Sequence, residues 1–152
     1  MKNILFITPV YNDWESFTKL INEINKVISN FKDISFKLIA VNDGSIDKAP
    51  QIQLPSKLES VEILNMKINQ GHAICLANGI KHALNNYNFD NLIIMDADGE
   101  DRPKEIFDLI NEAKRLKNIS VVAKRVKRSE GPIFKIFYSL HKILTLLFTG
   151  KL

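Results

Sequence analysis

The sequence predicts an α/β fold, a mostly parallel sheet flanked by helices. Two observations carry this. Short apolar runs alternate with stretches of helical periodicity along most of the 152 residues. Four successive apolar runs also end in polar loops, the arrangement expected where strands share one carboxyl edge. At 45% hydrophobic and 25% charged, the chain has the composition of about one globular domain with a real core.

The elements follow in order. Ile4-Leu5-Phe6-Ile7 is an apolar run that stops at Pro9 and reads as the first strand. Trp14, Phe17, Leu20, Ile21, Ile24, Val27 and Ile28 then recur at helical spacing, with Asn12 or Asp13 placed to cap the helix. Residues 36–41 form a second strand ending in Asn42-Asp43-Gly44-Ser45. Pro50 and Pro55 limit any helix between Ile46 and Ser60 to a short one. Residues 61–64 read as a third strand. Gly71 to Leu84 read as a helix with Ile74, Ala77, Ile80 and Leu84 on one face. Leu92 to Met95 is the fourth strand. Pro103 then opens a helix with Ile106, Leu109, Ile110, Ala113 and Leu116 inward, and Ile119 to Ala123 is a fifth strand.

Several classes are excluded early. The single cysteine, Cys75, rules out an internal disulfide, fits a reducing compartment and reads as a small buried residue. Residues 1–12 lack the pattern of a signal peptide. His82 and His141 have no partners at metal-ligand spacing, so no zinc site is expected. His72, at the predicted helix start, reads as a capping or surface residue, with a phosphate contact as the alternative. The net charge of +4 divides unevenly, −3 over residues 1–100 and +7 over residues 101–152. Lys114 to Arg128 holds seven basic residues and no acid. That block would suit a phosphate-bearing ligand or an anionic membrane, or be a solvated surface. It has no aromatics to stack on bases, so nucleic acid is not an expected partner.

The chemistry concentrates in "MDADGEDRP". Asp96, Asp98, Glu100 and Asp101 crowd four carboxylates behind a strand. If the strand continues through the first pair, Asp96 and Asp98 share a face about 6–7 Å apart. Two such carboxylates suit a hard divalent cation bridged to phosphates. Acidic residues ahead of Pro103 also suit helix capping, and the cluster alone does not decide between the two.

"TPVYND", "VNDGSID", "NQGHAICLANG" and "MDADGEDRP" occur in that order, each after a predicted strand. Together they resemble the family 2 glycosyltransferases of the GT-A (Rossmann-like) fold. The branch most similar contains dolichol-phosphate mannose synthase and bacterial polyprenyl-phosphate sugar transferases. The resemblance covers about residues 3 to 148 and implies a metal-dependent inverting glycosyltransferase using a nucleotide-diphosphate sugar with Mg2+ or Mn2+. Pro9, Tyr11 and Asp13 match the first nucleotide loop, where relatives usually carry Glu in place of Asp13. Asp43 matches the residue that bonds the base, Gly44 and Ser45 form its turn, and Asn69 and Gly71 match the loop closing over the nucleotide. Asp96 and Asp98 match the acidic pair of the catalytic centre, Asp98 holding the metal with Asp96 beside it, and Glu100 is a further ligand position.

Arg125 and Arg128 match a basic loop near the donor or acceptor phosphates, a role suited to the planar guanidinium. A surface loop is the competing reading. In residues 133–148, eleven of sixteen are Ile, Leu, Phe or Tyr, with Lys135, Ser139 and Lys142 along one stripe. This is short for a membrane span and fits an amphipathic helix lying in a membrane interface, or one packed on protein. The expected organisation is a nucleotide-sugar-binding domain over residues 1–130 and that helix over 131–152. The expected partners are a nucleotide sugar, a lipid-phosphate acceptor, the cytoplasmic face of the membrane, and a partner chain or second copy. The family normally continues beyond such a helix, so the fold is expected to be truncated, and no general base is identified. A phosphate acceptor is already ionised and needs none.

Overall fold

The computed structural model describes residues 2–116, 119–123, 137, 138 and 140. The chain divides into two compact units, Met1–Val121 and Val122–Leu152. The first holds every regular element described below. In the second, the described residues Phe137, Tyr138 and Leu140 are helical and exposed.

The elements are β1 (Asn3–Val10), α1 (Trp14–Ile28), β2 (Ser35–Asn42), β3 (Ser60–Asn65), α2 (His72–Asn86), β4 (Asn91–Ile94), a 3-10 turn (Pro103–Glu105) and α3 (Ile106–Arg115). The four strands form one sheet in the order β3-β2-β1-β4, and every pairing is parallel. Parallel strands need crossover connections; β2 reaches β3 without a helix, while α1 and α3 pack with one core cluster and α2 with the other. The central strands β1 and β2 are therefore buried on both sides, which is why they read as unbroken apolar runs.

Alternation along these strands sends side chains to two separate cores. Ile4, Phe6, Val10, Phe36, Leu38 and Ala40 pack with α1 and with Ile106 and Ile110 of α3. Leu5, Ile7, Ile39 and Val41 pack with Cys75 and Ala83 of α2. The face expected of α1 is the one observed: Trp14, Phe17, Leu20, Ile21, Ile24 and Ile28 are buried, with Val27 partly so. Full burial of each large apolar side chain contributes about 1.5–3 kcal/mol.

The buried face of α2 corrects the reading of its sequence. Cys75, Gly79 and Ala83 are buried, and Leu76 and Ile80 are partly so, whereas Ile74, Ala77 and Leu84 are exposed. The reason is close approach. A Cβ on Gly79 would stand 2.6 Å from Val41 Cγ2 and 3.1 Å from Ile7 Cγ2. Small residues four apart let the helix lie against the sheet, and they outweigh the pattern of larger ones. Tyr87 closes this seam by donating to Glu62, while His82 Nε2 lies 2.9 Å from Glu62 Oε1. Burial first, then the bond and charge of Glu62, push the Tyr87 hydroxyl up to about 12.

Residues 46–59 contain no helix, within the limit set by Pro50 and Pro55. One further expectation differs. Residues 119–123 form no strand, and Ile119 and Val122 are 62% and 85% exposed. An apolar β-branched run supplies propensity, but a strand exists only once a neighbour completes its ladder. Arg125, Arg128 and all but three residues of the expected C-terminal helix lie outside the described residues.

Gly79→Val is expected to lower stability by about 1–3 kcal/mol through overpacking, measured by denaturant unfolding. A second expectation concerns Asp90, whose carboxylate accepts the backbone N–H groups of Lys2 and Asn3 and so ties β1 to the start of β4. These bonds, that from Lys2 first, hold its carboxyl below the usual 3.8. Its stabilisation is therefore present above that value and lost as pH falls through the lower folded one. Asp90→Ala should lower the thermal midpoint at neutral pH, and the gap to wild type should shrink below pH 3.8.

Candidate functional site

The carboxyl ends of three strands are level, because Val10 pairs with Asn42 and Asn42 with Asn65. The loops leaving them are tied to one another. Asn12, at φ 54, occupies the left-handed region that Asn tolerates. Its amide oxygen accepts from Ile46 N at 2.8 Å and Asp47 N at 3.3 Å, and its own N–H donates to Ser45 Oγ at 2.9 Å. The Trp14 indole N–H donates to the Asp47 carbonyl at 3.1 Å. Asn42 donates to Asn65 Oδ1 at 2.8 Å and accepts from Ser45 N at 2.9 Å.

Asp43 makes the next tie. It is only 4% exposed, and its two carboxylate oxygens accept Gln70 N and Gly71 N, each at 2.9 Å. Gly44 beside it has φ 67, and a Cβ there would meet Asn69 N and the Ile68 carbonyl carbon at 2.5 Å. Only glycine meets both demands, the backbone angle and the close packing. The second and third loops are thus locked together.

The fourth strand end is built differently. The β1–β4 ladder stops at Ile7–Ile94, and after Met95 N donates to Ile7 O the chain bends. The strand does not continue through Asp98, so the expected strand-face spacing of the acidic pair does not apply. Gly99, at φ 83, shapes the bend. Asp101 Oδ2 accepts from Asp96 N at 2.9 Å, and Asp98 Oδ1 accepts from Glu100 N at 2.8 Å. Helix capping is not what the acids do here: Arg102 precedes the 3-10 turn and no side chain caps it.

These four ends surround a cleft of about 330 Å3. Pro9, Tyr11 and Asp13 line it from the first loop, Asp43 from the second, Asn69 and Gly71 from the third, and Asp96 and Asp98 from the fourth. Ser45 and Glu100 are not among its lining residues. Ser45 instead fastens the first two loops. Asp13 has a second task, since Oδ1 caps α1 by accepting Ser16 N at 3.1 Å. A groove of about 480 Å3 between α1 and Pro103 borders the same Asp98 turn, but Asp98 is the only predicted site residue in it.

The cleft is acidic. Among the described residues, four carboxylates line it and no Lys or Arg does. Burial pushes the Asp96 carboxyl up, nearby His72 opposes this, and Asp101, Asp98 and Glu100 add to the rise. Among the described residues, no group of three or more His, Cys, Asp or Glu is arranged to hold a metal ion. The donor set fits a hard cation held by one or two carboxylates together with ligand phosphates and water. Cys75 forms part of the floor as a buried thiol 3.4 Å from the Val41 carbonyl oxygen. Burial, then the charge of Asp43, raises it to about 11, so it is inert rather than nucleophilic.

His72 is the lining residue that the sequence underweighted. It begins α2, and Nε2 lies 3.8 Å from Asp96 Oδ1. A histidine one residue after the glycine of a strand-end loop is the signal that could have found it.

A family model described as glycosyl transferase family 2 matches residues 5–150. The chain is 30% identical over 141 residues to an uncharacterized glycosyltransferase, YkcC, of Bacillus subtilis, covering 88% of this chain and 42% of that one. It is 29% identical over 140 residues to an uncharacterized glycosyltransferase of Synechocystis, sll0501, with the same coverage. An undecaprenyl-phosphate 4-deoxy-4-formamido-L-arabinose transferase of Salmonella choleraesuis is 27% identical over 158 aligned positions, covering 99% of this chain and 45% of that one. The chain thus spans less than half the length of these relatives.

Removing the Asp43 carboxylate should open the cleft from below. Asp43→Ala is expected to cost about 3–6 kcal/mol, since its two bonds to a charged acceptor contribute about 1.5–3 kcal/mol each. It should also speed amide exchange at Gln70 and Gly71 more than elsewhere. Asp43→Asn, which keeps one acceptor oxygen, should fall between. The readouts are denaturant unfolding and residue-resolved hydrogen exchange.

Proposed function

The chain belongs to glycosyl transferase family 2, and on that premise we propose that it forms the donor-binding portion of a metal-dependent inverting glycosyltransferase. The donor is a nucleotide-diphosphate sugar. The observation that carries this reading is the meeting of four strand-end loops around one acidic cleft. An anionic diphosphate does not enter a cleft with four carboxylates unless a cation neutralises part of the charge. Mg2+ or Mn2+ would supply that charge and stabilise the departing nucleoside diphosphate. Asp98, with Asp96 beside it, would hold the ion, and Glu100 is a further ligand from the same turn. Pro9, Tyr11 and Asp13 would flank the nucleotide on one side, and Asn69 and Gly71 on the other. Asp43, already bonded to two backbone N–H groups, retains lone pairs for the base. Ser45 acts through Asn12 and Asn42, keeping the two loops in place.

The acceptor we infer is a polyprenyl phosphate at the cytoplasmic face of the membrane. A relative is named for transfer to undecaprenyl phosphate, and an ionised phosphate acceptor needs no general base. Arg125 and Arg128 would grip donor or acceptor phosphates, the nucleotide-sugar-binding domain would span residues 1–130, and residues 131–152 would lie in the membrane interface. Among the described residues no helix is long and apolar enough to cross a membrane.

The alternative reading is a non-catalytic nucleotide-sugar-binding or membrane-docking module that needs a partner chain for turnover. Transfer or donor hydrolysis by the 152-residue chain, with and without lipid, separates the two.

Calorimetric titration of UDP and GDP with and without Mn2+ tests the cleft. One nucleotide should bind at least about tenfold more tightly with the ion, and Asp98→Ala should abolish that gain. Binding that ignores the ion and survives Asp98→Ala would overturn the metal-dependent reading.

A further inference from the structure

On the donor-binding reading, the described residues lining the cleft offer few hydrogen-bond donors to a diphosphate. A carboxylate only accepts, so Asp13, Asp43, Asp96 and Asp98 contribute none to a phosphate oxygen. The side-chain donors lining the cleft are the Tyr11 hydroxyl, the Asn69 amide, the Cys75 thiol and the His72 ring. Cys75 is buried and turned to the Val41 carbonyl, so it is already engaged. Among the described residues no Lys or Arg lines the cleft, and His72 is the one described lining side chain that can carry positive charge.

The position of His72 is fixed while its ring is free to act. Its backbone follows Gly71, whose N–H is held by Asp43 and whose carbonyl accepts Cys75 N at 3.0 Å. Gly71 has φ 87, in the left-handed region, where it turns the chain into α2. The His72 side chain is 57% exposed, and its ring faces Asp96 at 3.8 Å, too far for a hydrogen bond. A group held at Asp96 is therefore also near the His72 ring.

We propose that His72 is a positioning residue for the donor, its ring N–H hydrogen-bonding a phosphate oxygen of the nucleoside diphosphate across the cleft from Asp98. The inference rests on the donor-binding reading and adds to it a group from α2. The ring donates as the neutral Nε2–H tautomer or as the cation, so the role does not turn on its protonation. The diphosphate is thereby contacted from two elements, the β4 turn and the start of α2, which fixes its orientation as well as its charge balance.

The test compares UDP, UMP and uridine, and the guanosine series, by calorimetry with Mn2+ on the 152-residue chain. His72→Ala should weaken the diphosphate by roughly ten- to a hundredfold, the range of one hydrogen bond to a charged group. It should leave the nucleoside unchanged and keep the wild-type melting temperature. His72→Gln, which places an amide N–H at similar reach, should recover most of the loss. If His72→Ala binds the diphosphate as wild type does, or weakens the nucleoside equally, His72 does not contact the phosphates. A glutamine variant no better than alanine would also overturn the role. A wild-type chain that binds neither nucleotide series overturns the donor-binding reading itself, a result distinct from these.

Discussion

The buried carboxylate of Asp43 is the interaction on which the cleft depends. A charge 4% exposed at the end of a central strand is costly unless its oxygens are satisfied. Here two backbone N–H groups satisfy it, and both belong to the loop that begins α2. The consequence runs in two directions. The carboxylate is stabilised, and Gln70, Gly71 and His72 are held at a fixed place relative to β2. Gly44 tightens the same contact, since its missing Cβ lets the Ile68–Asn69 backbone lie against it. Asn12, Ser45 and Trp14 perform the matching task between the first two loops. The cleft wall is thus a set of loops made rigid by polar side chains, standing on a sheet made rigid by apolar ones.

That sheet sets the scale of everything above it. Because β1, β2 and β3 end level, their loops emerge side by side. Because the β4 ladder ends three residues earlier on β1, at Ile7 rather than Val10, the acidic turn begins below the rim. Asp96 is consequently half-buried and Asp98 exposed, two carboxylates of one turn in different surroundings. The small residues Cys75, Gly79 and Ala83 matter to the site as well as to the core. They set how closely α2 lies on β1 and β2, and so how near the start of that helix comes to Asp96.

Much of this was legible in the residues. Strand ends are punctuated by Pro, Gly, Asn and Asp, so the places where β1, β2 and β3 stop, and the loops that follow, could be read directly. The face of α1 was also plain, because its apolar residues are large and regularly spaced. What could not be read depended on contacts between distant segments. The buried stripe of α2 is made of small residues, and their value appears only once a sheet lies beneath them. Residues 119–123 have strand propensity without a ladder. A strand continuing through the acidic pair is a natural expectation, because sequence does not reveal where a neighbouring strand stops hydrogen bonding. The bond from Asn12 N to Ser45 is equally hidden, since only the fold brings those residues together.

The acidic turn shows why such a site is kept at some cost to the fold. The Asp96 carboxyl is raised above its ordinary value, with burial the first cause, so its ionised form is less favourable in the folded chain than in the unfolded one. The sign follows: this group works against stability above its folded value, and the penalty is relieved as pH falls and the proton is taken up. A cation would relieve it by another route, with the carboxylate left ionised. The charges of Asp101, Asp98 and Glu100 add to that penalty, while Asp98 and Asp101 each accept a backbone N–H of the same turn. Those bonds hold the bend without neutralising it. The turn is therefore shaped in advance by its own backbone bonds while the Asp96 penalty stays in place.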